Sequence, residues 1–181
     1  MEKPYAQVGE NGVQYAGPAL LDDHASSMTI AVFGPHADEL IRSPETVRML
    51  NTVNETGKHL SLIAIPSETS WGKASEDLVK AVYQEHVLAL IALDRLSSHL
   101  AEQIAVKSFV PVVAISSDRA LTSTNIPWIF RLPQDAPLSQ ALQTLSSAIE
   151  QAGPNRASIR ELLASGQPVA GVRFNSTGEL K

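Results

Sequence analysis

The chain has no cysteine, which excludes thiolate catalysis, disulfide staples and sulfur-ligated metal sites and leaves the redox compartment open. It has no excess of positive charge either: 14 Lys and Arg stand against 19 Asp and Glu, with a pI near 5.5. That balance gives no electrostatic footprint for nucleic acid or an anionic membrane surface. No segment approaches the ~18 to 20 consecutive apolar residues of a membrane span. The opening "MEKPYAQVGENG" has no apolar run after its basic residue. It is therefore not a secretory signal as written, and a chain working outside the cytoplasm is expected to have had its export signal removed.

Motifs of several chemistries are missing as well. There is no G-x-G-x-x-G after an apolar run, no G-x-x-x-x-G-K-[ST] and no G-x-S-x-G, so nucleotide phosphates and nucleophile elbows have no support. His24, His36, His59, His86 and His99 are scattered without ligand spacing, so no metal site is expected. Ser98 and His99 are neighbours, but adjacent helical positions diverge by about 100° and cannot form a nucleophile and base unaided. The expectation is a protein without catalytic residues and without a cofactor.

What is present has a clear rhythm. Residues 1–27 are rich in Gly, Asp, Asn and Gln and read as an arm. "MTIAVFGP" from Met28, "HLSLIAIP" from His59, "VLALIAL" from Val87, "VPVVAIS" from Val110 and "IPWIFRL" from Ile126 are short apolar runs of strand length. Between them lie helical patterns: one capped by Ser43 with Pro44 at its first position and Gly57 at its exit, and one from Trp71 to His86 with Leu78, Val79 and Val82 on one face. A third, "SSHLAEQIAVKSF", places Leu100, Ile104 and Ala105 inward. Strands apolar on both faces, alternating with amphipathic helices, predict an α/β domain: a doubly wound parallel sheet of about five strands with helices on both faces. Two more helices follow, one with Leu138, Leu142, Leu145 and Ile149 in line and one capped by Asn155 and ended by Gly166, before a turn and an extended end.

Ligands of such sheets bind outside the carboxyl ends of the strands, where strand order reverses. Four loops are nominated: Pro35 to Asp38, Pro66 to Gly72, Asp94 to His99 and Ser116 to Ala120. Ser97 and Ser98, at the start of a helix whose free N–H groups favour a carboxylate or phosphate, and Ser116 and Ser117, at the neighbouring strand end, are the candidate ligand-binding residues. A Ser before a helix is usually just an N-cap, and Ser97 reads first as that. Trp71 is either a stacking surface for a ligand or a core or interface anchor. Asp118 beside Arg119 reads as a solvated turn with a weak surface pair.

Residues 71–135, with "AVYQEHVLALIAL", the hydroxyl-rich "DRLSSH", then "VPVVAISS" and "IPWIFR", resemble the amino-terminal lobe of type I periplasmic solute-binding proteins. These are the substrate-binding proteins of branched-chain amino acid ABC transporters. "MTIAVFGP" is similar to that family's first strand, and "AIEQAGPNRASIRELLASGQPVAGVRFNSTGEL" to its carboxyl-terminal segment. Residues 28–135 thus resemble one lobe and 136–181 the closing segment, together a single lobe. In the family the chain after "FR" crosses to a second lobe, whereas here "LPQDAPLSQ" connects directly.

The resemblance implies a receptor for a small polar solute such as an amino acid or carboxylate, in ABC-type uptake or sensing and in an extracytoplasmic compartment. Its partners would be the solute and a permease, a partner lobe or a second copy forming a homodimer. It places the family's ligand hydroxyls on Ser97 or Ser98 and on Ser116 or Ser117, and of the family's acidic pair after the second strand leaves only Glu68. Half a clamp leaves most of a small ligand in solvent, so weak binding is expected. The alternative from another class is a non-catalytic regulatory or dimerisation module derived from such a lobe, with contacts between Pro44 and Trp71.

Overall fold

The computed structural model describes residues 6–9, 12–15, 28–57, 59–67, 71–123 and 126–181. In chain order the elements are β1 (Ala6–Gly9), β2 (Gly12–Tyr15), β3 (Met28–Gly34), α1 (Ala37–Ile41), α2 (Pro44–Glu55), β4 (Leu60–Pro66) and α3 (Trp71–Tyr83). Then follow β5 (Ala89–Ala92), α4 (Arg95–Ser108), β6 (Val112–Ile115), α5 (Ala120–Ser123), β7 (Ile129–Leu132), α6 (Leu138–Ala152) and α7 (Arg156–Ala164). β1 and β2 pair antiparallel with Val8 opposite Val13, a hairpin that the sequence pattern of this stretch, read as an arm, did not announce.

β3 to β7 form one parallel sheet in the order β4-β3-β5-β6-β7. Its strands are buried on both faces because their side chains alternate between two cores. Ile30 and Val32 join Ile91, Val113, Phe130 and Leu132 beneath α6 and α7, with Leu142, Leu145, Ile159 and Leu163 from the helices. Ala31 and Phe33 point the other way, against Leu78 and Val82 of α3 and Leu100, Ala101 and Ala105 of α4. The doubly wound architecture is therefore the observed one. Val79, expected inward, is exposed, since the buried stripe of α3 runs through Ala74, Leu78, Ala81 and Val82.

Helix boundaries follow capping chemistry. The Ser43 hydroxyl accepts from the Thr46 N–H at the start of α2, and Asn155 accepts from the Ser158 N–H at the start of α7. Residues 133–137 carry the chain from β7 straight into α6, whose Leu138, Leu142, Leu145 and Ile149 are buried. The last residues fold back on the same face: Val169, Val172 and Phe174 are buried, and the Phe174 ring meets that of Phe130 edge-on at 5.4 Å. Glu179 then bridges to Arg131 in parallel register at the edge of β7, and the Arg131 N–H donates to the Gly178 carbonyl at 2.8 Å. Gly178 has φ +84°, and a Cβ there would lie 1.8 Å from the Ile129 carbonyl oxygen, so only glycine lets the tail approach.

Candidate functional site

The strand order reverses between β3 and β5, and the loops leaving these strands meet at Gly34. Gly34 has φ +144°. A Cβ there would sit 2.7 Å from the Leu93 Cβ and 3.1 Å from the Ser97 Oγ. The Ser67 N–H donates to the Gly34 carbonyl at 3.2 Å and the Leu93 N–H to the Phe33 carbonyl at 2.9 Å, so the ends of β3, β4 and β5 are stitched together around this glycine.

α4 begins beside it. Its cap is Asp94, whose carboxylate accepts from the Ser97 N–H at 2.9 Å; Ser97 is therefore not the cap, as the sequence pattern allowed, but stands within the first turn. With that N–H taken, the N–H groups of Arg95 and Leu96 are the first-turn donors without an acceptor inside the helix. Ser97 is buried at 2% exposure, and among the described residues its hydroxyl has no hydrogen-bond partner. Ser98, fully buried, spends its hydroxyl on the Asp94 carbonyl at 2.6 Å, one turn back in its own helix.

The loop after β6 supplies the other wall. Ser116 is buried; its hydroxyl accepts from the Asp118 N–H at 3.1 Å and its carbonyl from the Arg131 guanidinium at 2.8 Å. Ser117 is exposed. Asp118 does not pair with Arg119. Its carboxylate meets His99 Nε2 at 3.0 Å, accepts from the Ala120 N–H at 2.9 Å and accepts from Arg95 Nε at 2.7 Å, which ties this loop to the first turns of α4. His99, followed by the Ala120 N–H and Arg95, holds the Asp118 carboxyl well below the usual carboxylate range. His99 is bracketed, with Glu102 Oε2 3.1 Å from its Nδ1; the hydrogen bond to Asp118 raises its pKa first, burial opposes, and Glu102 adds to the rise.

Behind the loop, the Arg131 guanidinium forks onto Glu179, with Nε to Oε2 at 3.0 Å and a second contact from Nη2 to Oε1. Thr122 donates to the same carboxylate at 2.6 Å. Arg131 thus links the tail to the Ser116 carbonyl.

Of the nominated residues, Ser97 and Ser98 lie on α4, with Ser97 against Gly34, and Ser116 and Ser117 on the loop that Asp118 binds to α4. Glu68 lies outside the described residues, and Trp71 stands at the first position of α3 with its side chain likewise outside them. Two open cavities among the described residues lie elsewhere: a groove of about 490 Å³ between α2 and α6, and one of about 450 Å³ bordered by Gln140, Arg173 and Lys181. Among the described residues no three His, Asp or Glu side chains are grouped to hold a metal ion. Asp94, missed as the cap in the sequence, had one signal: an Asp directly after an apolar run and before a helical pattern is an N-cap candidate. The Asp118 cluster had none, because its members are far apart in sequence.

No protein-family profile matches the chain, and no curated protein matches it. Solved structures do. An ABC transporter substrate-binding protein from Desulfitobacterium hafniense superposes with a TM-score of 0.52 at 19% identity, over 75% of this chain and 46% of that one. A possible leucine/isoleucine/valine-binding protein from Rhodopirellula baltica gives 0.49 at 16% identity, over 71% of this chain and 37% of that one. A leucine binding protein from Thermotoga maritima gives 0.46 at 18% identity, over 67% and 36%. The Desulfitobacterium likeness shows the fold that this chain shares with part of that protein, a parallel α/β sheet covered by helices on both faces. The chain spans less than half the length of each of these proteins.

Proposed function

We propose that the chain is a non-catalytic, substrate-binding-protein-like lobe that takes a small polar solute, such as an amino acid or carboxylate, at the mouth formed by Gly34, the first turn of α4 and the loop after β6. Its setting is ABC-type uptake or sensing in an extracytoplasmic compartment. The observation that carries this reading is the Ser97 hydroxyl, buried beside Gly34 at the strand-order switch and lacking a partner among the described residues. A buried hydroxyl without a partner costs free energy, and such costs concentrate where a ligand completes the bonding. With the N–H groups of Arg95 and Leu96, it offers donors suited to a carboxylate. Trp71 and Glu68 belong to the same proposal as flanking groups, and Ser98 and Ser116 as the residues that fix the two walls.

The experiment is a thermal-shift screen of the chain against amino acids and small carboxylates, run in parallel on Ser97→Ala. A solute at about 100 times its dissociation constant adds roughly 2.7 kcal/mol of stability. A solute that stabilises the parent and not the variant is the expected result; equal shifts in both, or no shift across the panel, would end the reading. The regulatory reading is favoured by one observation: among the described residues, the apolar face of α2 is only half covered.

A further inference from the structure

Both ring nitrogens of His99, on the second turn of α4, meet a carboxylate: Nδ1 lies 3.1 Å from Glu102 Oε2 on its own helix, and Nε2 lies 3.0 Å from Asp118 Oδ2 on the loop after β6. An imidazolium donates from both nitrogens, whereas a neutral imidazole has one N–H and one lone pair. Only the protonated ring holds both partners. In the neutral ring one carboxylate faces a lone pair, and in either tautomer the charge-assisted bond to Asp118, roughly twice as strong as a neutral one, is weakened or lost.

That bond joins two walls of the mouth. The loop after β6 is tied to α4 through the Asp118 carboxylate at two points, His99 Nε2 and Arg95 Nε at 2.7 Å. The Arg95 side chain is 72% exposed, so its pair with Asp118 is a surface contact that contributes little. His99 is 36% exposed, and Asp118 and Glu102 are more covered still, so the imidazole bridge is the shielded tie. The remaining bonds of Asp118, to the Ala120 N–H and to the Ser116 hydroxyl, do not reach α4.

Among the described residues, the elements packed around α4 bring no competing charge to the ring. α3 keeps Lys73, Glu76, Asp77 and Lys80 paired with one another, and β5, β6 and α5 carry no charged side chain. Asp94 is held by the Ser97 N–H, and Arg119 acts on Glu179. The charges felt by His99 are those of Asp118 and Glu102, which raise its pKa against burial.

We propose that His99 is a pH-sensitive fastener of the mouth: protonated, it clamps the loop after β6 to the first turns of α4, and neutral, it loosens that wall, so that solute is held at lower pH and released at higher. The solute half rests on the binding role proposed for Ser97; the fastening half stands on the bridge alone. Because the folded ring titrates above its ordinary value of 6.5, the wall is fully fastened below about pH 6.5 and loosens as the pH rises through the folded value.

Backbone amide relaxation by NMR on the full chain reads the loop directly. At about pH 5.5 the amides of Ser117, Asp118 and Arg119 are expected to be as rigid as those of α4, and at about pH 8.5 their order parameters should fall below about 0.6. His99→Gln, neutral at every pH, should show the loosened loop at both. Glu102→Gln puts a donor beside Nδ1 in place of a carboxylate and should move the transition to lower pH. Acetate, the simplest carboxylate, is the solute probe: in the parent it should shift the Leu96 and Ser97 amide resonances with an affinity roughly fivefold or more tighter at the lower pH, and in His99→Gln with no such difference. A parent loop equally ordered at both pH values, the same transition in His99→Gln, or an unmoved midpoint in Glu102→Gln would each overturn the fastener. Acetate binding equal at both pH values would overturn the gating. No acetate response beside a loop that does switch would strike the solute site and leave the fastener standing.

Discussion

The Ser97 hydroxyl is both the best evidence for a ligand and a defect of the unliganded protein. It is buried at 2% exposure with no partner among the described residues, and it lies close enough to Gly34 that no side chain could stand there. Leaving a buried hydroxyl unsatisfied costs about 1 to 3 kcal/mol, and its replacement by a methyl group removes that penalty while opening little space. Ser97→Ala is therefore expected to raise unfolding stability in urea by about 1 kcal/mol while abolishing the solute response, the trade between stability and function that a binding residue makes. A loss of stability of that size would mean that the hydroxyl is already bonded in the folded protein, and would remove the main support for the site. Asp94 is different in kind. Its carboxylate is a structural cap, for which the local sequence holds a signal.

At the scale of elements, α7 contains a residue whose placement is wrong for its own helix. Arg156 occupies the first helical position, where the positive end of the dipole disfavours a cation. It is buried, and its guanidinium donates to the carbonyls of Val82 at 2.9 Å, Val87 at 2.8 Å and Ser108 at 3.3 Å. Val82 is in the last turn of α3 and Ser108 is the last residue of α4, so the cation sits at two negative helix ends and joins α7 to helices on the other side of the sheet. Arg156→Met keeps much of the volume but strands these carbonyls, and a loss of about 3 kcal/mol is expected from denaturant unfolding. A change below about 1 kcal/mol would show that water replaces the guanidinium at little cost. The same elements show what sequence could reveal. The five strands were legible because each is a bounded apolar run, and α2, α6 and α7 because Ser43, the leucine line and Asn155 mark them. α1 and α5, of five and four residues, are too short to display a period. The hairpin of β1 and β2 was passed over although Asn11-Gly12 is a turn signal. Arg156, Arg131 and Glu179 could not be paired with their acceptors, because each contact spans 48 or more residues or a carbonyl that leaves no trace in composition.

Across the whole molecule, the depressed carboxyls of Glu179 and Asp118 and the raised imidazole of His99 set opposite limits on the pH at which the fold is most stable. At the closing edge Glu179 holds the tail to Arg131, which is the first cause of its lowered pKa, with Thr122 adding to it. A carboxyl depressed on folding contributes stability that is fully present above its unfolded value of 4.5 and is lost as pH falls through the folded value. Asp118 acts in the same direction, from an unfolded value of 3.8. His99 acts oppositely: raised on folding by Asp118 first and Glu102 after, it contributes stability that is complete below its unfolded value of 6.5 and is lost as pH rises through the folded value. The two sets leave a plateau from about pH 4.5 to 6.5, falling on either side. Thermal unfolding measured from pH 3 to 9 should trace that plateau, on the order of the windows that linkage gives. Glu179→Gln should lower stability by about 2 kcal/mol at neutral pH, because it leaves the nearly buried Arg131 cation poorly matched, and should flatten the acid limb while sparing the other. His99→Gln should flatten the limb above pH 6.5. An upper limb unchanged in His99→Gln would show that the His99–Asp118 bridge contributes nothing to folding, and that Arg95 and the Ala120 N–H hold Asp118 in place without it.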